Sequence, residues 1–89
     1  SPAVFSLGQN YPNPFNPVTT IPFHVSHGGR VTIDVYSVLG QRVATVIDRD
    51  INPGHHTVIF SSDDLAAGLY FYTIKTGRFI KTKQMMLLK

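Results

Sequence analysis

Residues 31–46 read VTIDVYSVLGQRVATV. Val31, Ile33 and Val35 alternate with Thr32, Asp34 and Tyr36, a period of two that gives an extended chain one core face and one wet face. After Val38 the alternation breaks at Leu39-Gly40-Gln41, where a glycine can take the positive φ of a tight turn, and an apolar-rich run resumes to Ile47. The stretch is a β-hairpin, and the rest of the chain repeats its grammar.

Working outward, short runs rich in β-branched and aromatic residues recur between Gly, Pro, Asn and Asp. They cover Val4–Leu7, Val18–Val25, Arg30–Val38, Gln41–Ile47, His55–Ser61, Leu69–Thr76 and Arg78–Leu88. His56, Val58 and Phe60 share one face, as do Tyr70, Tyr72 and Ile74. Lys75-Thr76-Gly77-Arg78 marks a second tight hairpin, with further breaks at His27-Gly28-Gly29 and Asn52-Pro53-Gly54. Only SDDLAA, from Ser62 to Ala67, offers a helical turn, capped by Ser62 or Asp63 and stopped by Gly68, as a crossover between sheets. About seven short strands without an amphipathic helix predict an all-β chain, an immunoglobulin-like antiparallel β-sandwich.

The chain has 89 residues, enough for one domain over residues 1–89 and too few for a cleft between domains. It has no cysteine, so disulfides, a thiol nucleophile and thiolate metal sites are excluded. No apolar run reaches the roughly 18 residues of a membrane span, and SPAVFSL lacks the regions of a signal peptide. An exported parent would carry its signal upstream, with this chain a piece of it. Net charge is +3, unevenly placed. Residues 1–74 set Arg30, Arg42 and Arg49 against Asp34, Asp48, Asp50, Asp63 and Asp64, whereas residues 75–89 hold Lys75, Arg78, Lys81, Lys83 and Lys89 with no acid.

YPNPFNP, residues 11–17, packs three prolines and two aromatics into seven positions. Pro14 and Pro17 have the P-x-x-P spacing of a polyproline ligand. Asn-Pro turns explain it better: they hold Asn13 and Asn16 away from helix and redirect the chain before Val18, with Phe15 and Tyr11 anchoring the corner.

Site chemistry is sparse. His24 and His27, like His55 and His56, are split across strand faces by odd spacing, which argues against zinc. His56 fits a core-edge residue bonded to backbone, with His55 solvated. Asp48-Arg49-Asp50-Ile51-Asn52 opens like a calcium loop, leaving weak binding at Asp48, Asp50 and Asn52 open. But Pro53 intrudes, Ile59 stands where a bidentate Glu is needed, and a solvated turn fits better. No G-x-S-x-G, carboxylate pair in strand context or P-loop is present, so no catalytic residue or cofactor is expected. The few basic residues beside Tyr72 and Phe79 do not make a nucleic-acid surface. Tyr11, Phe15, Tyr36 or Tyr72 could instead stack on sugars, giving a carbohydrate-binding or surface-adhesion sandwich as the alternative function.

Five ordered blocks carry a resemblance: YPNPFNPVTTIPF (11–23), VTIDVYSVLGQRVATV (31–46), PGHHTVIF (53–60), LAAGLYFYTIKTG (65–77) and KTKQMMLLK (81–89). Together they resemble the C-terminal sorting domains of the type IX (Por) secretion system of Bacteroidetes, which are immunoglobulin-like. The V-Y-x-x-x-G hairpin and G-x-Y strand are shared with the immunoglobulin-like domain of flagellar hook-capping proteins, which carries W-D-G where this chain has Phe60-Ser61-Ser62.

The resemblance implies a non-catalytic sorting module that takes an upstream cargo domain across the outer membrane, leaving it secreted or at the cell surface by way of the periplasm. Implied partners are the translocon and shuttle components of type IX secretion and a sortase-like cysteine peptidase cutting at or upstream of Ser1 to Phe5. The matched positions are Tyr11, Pro12, Asn13, Pro14 and Phe15 in a structural lead-in motif, Tyr36 and Gly40 in the central hairpin, and His56. Gly68, Tyr70, Lys81, Lys83, Met85 and Lys89 are the expected sorting and recognition residues. A basic final strand with an available edge is the expected recognition surface.

Overall fold

The computed structural model describes residues 5–89, so Val4 of the first expected strand and most of the expected cleavage region, Ser1 to Val4, lie outside the described residues. Seven strands follow in order: β1 (Phe5–Leu7), β2 (Val18–Val25), β3 (Gly29–Ser37), β4 (Arg42–Ile51), β5 (Gly54–Ser61), β6 (Gly68–Thr76) and β7 (Phe79–Leu87). They form two antiparallel sheets, β1-β2-β5 and β4-β3-β6-β7, the A-B-E and C′-C-F-G pattern of an immunoglobulin-like sandwich. Gly40 and Gly77 carry the positive φ, 82° and 56°, that the β3–β4 and β6–β7 hairpins require.

The core is built by alternation. Ile21, Phe23 and Val25 from β2, with Val58 and Phe60 from β5, face Val31, Ile33 and Val35 from β3, Tyr72 and Ile74 from β6, and Met85 and Leu87 from β7. Tyr70 adds a fixed corner at the start of β6: its hydroxyl donates to the Ala66 carbonyl at 2.7 Å, the back-bond of a tyrosine corner.

Three expectations are corrected. The acidic run Asp48-Arg49-Asp50 is not a turn but the end of β4, which continues to Ile51. Asp48 stands opposite Thr32 and Asp50 opposite Arg30, so the two acids face a hydroxyl and a guanidinium across the sheet. SDDLAA forms no helical turn. It makes a tight turn in which the Leu65 N–H donates to the Ser62 carbonyl (3.1 Å), while Ser62, buried, is tied through N–H and hydroxyl to the Pro17 carbonyl. The segment still carries the chain from one sheet to the other. Asp34 lies on the outer face as the period predicts, yet it is buried rather than wet. Register shifts in the β3–β4 pairing bring Thr45 opposite it, and the Thr45 hydroxyl donates to its carboxylate at 2.7 Å.

Candidate functional site

The lead-in motif and the last strand, some seventy residues apart in sequence, are joined in space. The Phe15 N–H donates to the Met86 carbonyl and the Leu88 N–H to the Phe15 carbonyl, both at 2.9 Å. The Asn13 side-chain oxygen accepts the Met86 N–H (2.9 Å), and the Gln9 side-chain amide donates to the Gln84 carbonyl (2.7 Å). Phe15 is buried and meets Phe60 edge-on at 6.2 Å. Its anchoring role follows the sequence expectation; Tyr11 differs, being 54% exposed and held only through its backbone to Thr20.

A buried polar knot supports the motif from behind. The Tyr72 hydroxyl donates to the Gly8 carbonyl (2.7 Å) and accepts the Asn10 N–H (2.8 Å). Burial raises the phenol's pKa above its ordinary value, an effect that the Asn10 hydrogen bond only partly offsets. The buried Asn10 side chain donates to Thr19 Oγ1 (3.0 Å) and to the Pro12 carbonyl (3.2 Å), which also accepts from the Thr19 hydroxyl (2.9 Å). Asn10 and Thr19 were not singled out from sequence. The only local signal is that Asn10 directly precedes the Y-P-N-P-F run.

The final strand is therefore an edge in two parts. From the Gln84 carbonyl to the Leu88 N–H its outward backbone groups are capped by Gln9, Asn13 and Phe15. Ile80 and Thr82 lie in the same phase of the strand, beyond that cap, and among the described residues β7 has no second partner strand there. This corrects the expectation of a wholly available last strand: the open part is its first half. Lys81 and Lys83 stand opposite Ile74 and Tyr72 on the side of β7 that carries the buried Met85 and Leu87. There the facing sheet narrows to the short β1, which reaches β7 through a Phe5–Phe79 ring contact at 5.2 Å. Lys81 and Lys89 are exposed and Lys83 half-buried.

Among the described residues the single ion pair is Arg30–Asp48 at 2.8 Å, so none of these lysines is neutralised by an acid. That hydrogen bond and its charge hold the Asp48 carboxyl below, and the Arg30 guanidinium above, their ordinary pKa values. Asp48 is also bonded by the Thr32 hydroxyl, and the extended backbone prevents Asp48, Asp50 and Asn52 from wrapping one ion as a loop would.

The other expected recognition residues occupy different settings. Tyr70 and Met85 are buried, so neither side chain is available for contact on the folded domain, and Gly68 is half-buried at the start of β6. Tyr72 and Phe15 are likewise buried, which removes them as sugar platforms; Tyr36, half-buried opposite Phe71, keeps an outer-face position. His56 is half-buried, stacks on Phe23 at 5.5 Å and has Nε2 2.7 Å from the Asn52 carbonyl, the backbone-bonded edge residue expected.

Residues 9–88 match the family described as "Secretion system C-terminal sorting domain", a match that begins at Gln9 and ends at Leu88, the two limits of the β7 cap. No curated protein and no solved structure matches the chain. The match spans nearly the whole sequence, and the chain belongs to the family of C-terminal sorting domains of type IX secretion.

Proposed function

We propose that the sorting signal is read from the open flank of β7, where Lys81 and Lys83 present positive charge beside backbone groups of Ile80 and Thr82 that have no partner among the described residues, with Lys89 adding charge beyond the capped end. The observation carrying this reading is the absence of any acid paired with these lysines among the described residues, at a strand edge whose other half the lead-in motif occupies. Cations along an open strand offer an acidic partner both charge and strand-addition hydrogen bonds. In this reading the translocon and shuttle components of type IX secretion bind this flank after the cargo reaches the periplasm. A sortase-like cysteine peptidase acts upstream, and the cargo is released or attached at the cell surface. The domain itself is non-catalytic. Tyr11, Pro12, Asn13, Pro14 and Phe15, with Gly68, Tyr70 and Met85, serve by building the fold that displays the flank.

The test is a periplasmic reporter fused to residues 1–89 in a host with the secretion system. Export of the fusion with retention of the unfused reporter is expected; equal retention of both would overturn the proposal. A sugar-binding role, the second reading, now rests on Tyr36 beside Phe71. It predicts saturable polysaccharide binding that Tyr36→Ala abolishes, and binding unaffected by that change would exclude Tyr36 as the platform.

A further inference from the structure

We propose that His24 and His55 form a two-imidazole site for a late first-row divalent ion, Cu²⁺ foremost, on the outer face of the β1-β2-β5 sheet. Within each strand the histidines divide between faces, but the β2–β5 register sets His24 directly opposite His55. Their ring centres are 4.4 Å apart with planes inclined by 47°. With metal–nitrogen bonds of about 2.0–2.1 Å and about 1.2 Å from ring centre to nitrogen, two imidazoles at right angles on one ion have centres about 4.5 Å apart. A tetrahedral ion would spread them to roughly 5.2 Å by the same construction. The observed spacing matches the square-planar case, which Cu²⁺ and Ni²⁺ favour, and Cu²⁺ heads the affinity series.

A second observation points the same way. His24 Nδ1 is shut off from solvent and has no hydrogen-bond partner. A buried imidazole nitrogen left unpaired is costly, and a cation would satisfy its lone pair. The surroundings oppose nothing: Ser6 beside His24 and Pro22 and Thr57 along the strands are uncharged, so no lysine or arginine on this face repels the ion. Bound there, the ion would clip β2 to β5. His56, on the inner face, and His27, beside the Phe5 ring at 6.2 Å, take no part.

The experiment titrates the 89-residue chain with CuCl₂. One Cu²⁺ per chain is expected, with nitrogen hyperfine structure from two imidazoles in its electron paramagnetic resonance spectrum and a rise in thermal midpoint. His24→Ala and His55→Ala should each weaken binding about tenfold or more, while His27→Ala leaves it unchanged. In the unmodified chain, substoichiometric Cu²⁺ should broaden the His24 and His55 ring resonances before those of His27 and His56. Absence of binding, binding indifferent to both alanine variants, or equal broadening of all four histidines would overturn the proposal.

Discussion

Replacing Tyr72 by Phe removes one oxygen atom and strips two backbone groups of their partner. The ring, fully buried, keeps its packing. The Asn10 N–H, in a residue only 1% exposed, loses its acceptor at 2.8 Å, and the Gly8 carbonyl loses its donor at 2.7 Å. Leaving a buried polar group unsatisfied costs about 1–3 kcal/mol, so the pair amounts to roughly 2–4 kcal/mol, the Gly8 end being the more exposed. A chain of this length has about 4–13 kcal/mol in total, and the change should lower the thermal midpoint by roughly 10–25 °C. Urea unfolding at pH 7 measures the difference directly. The same assay above pH 9 checks its cause. A phenol with raised pKa keeps its proton in the folded chain where the unfolded chain has lost it, so wild type loses stability as pH rises through about 10. The gap to Tyr72→Phe should therefore narrow with alkali. A loss below about 0.5 kcal/mol, or a gap independent of pH, would refute the hydroxyl's role as the pin of the lead-in segment.

Three further outcomes follow from the same contacts. Phe15→Ala opens a cavity beside Phe60 and loosens the cap on β7, and should cost about 3–5 kcal/mol by urea unfolding. Tyr70→Phe loses the bond to Ala66 and should cost about 1 kcal/mol, with hydrogen exchange rising in residues 62–69. Asp48→Asn should leave the urea midpoint at pH 7 essentially unchanged, because the pair with Arg30 is exposed. The depressed Asp48 pKa means that what little the pair contributes is present above the ordinary carboxylate range and lost as pH falls through the folded value, so no gap between the two proteins should open in acid either.

Much of the sandwich was legible because strand periodicity is local. Val18–Val25 keeps its expected bounds, and the hairpin glycines at 40 and 77 fall where the turns are. What escaped depends on which strands meet. Asp48-Arg49-Asp50 looks like a turn until Arg30 and Thr32 are placed opposite it. Asn10 and Thr19 carry no sequence signal of their role, which depends on Tyr72 closing over that segment. In sequence the lead-in motif reads as a joint and the last strand as a displayed edge, two roles at opposite ends of the chain. Phe15 and Asn13 bonding to Met86 and Leu88 make them one structure, in which the joint covers half of the edge. His24 and His55 became neighbours only through register. Of the expected recognition set, charge was visible in the sequence, but the burial of Tyr70 and Met85 required the folded core.

Because β7 supplies Met85 and Leu87 to that core, deleting Lys81–Lys89 would confound signal with fold. Side-chain substitution separates them. The most direct measurement is the exported fraction of a reporter fused to residues 1–89 bearing Lys81→Gln, Lys83→Gln and Lys89→Gln. Its comparison is the corresponding triple arginine variant, with both matched to wild type by thermal melting. Export by the arginine protein and periplasmic retention of the glutamine protein are predicted. Wild-type export of the glutamine protein would contradict recognition through the basic flank of β7.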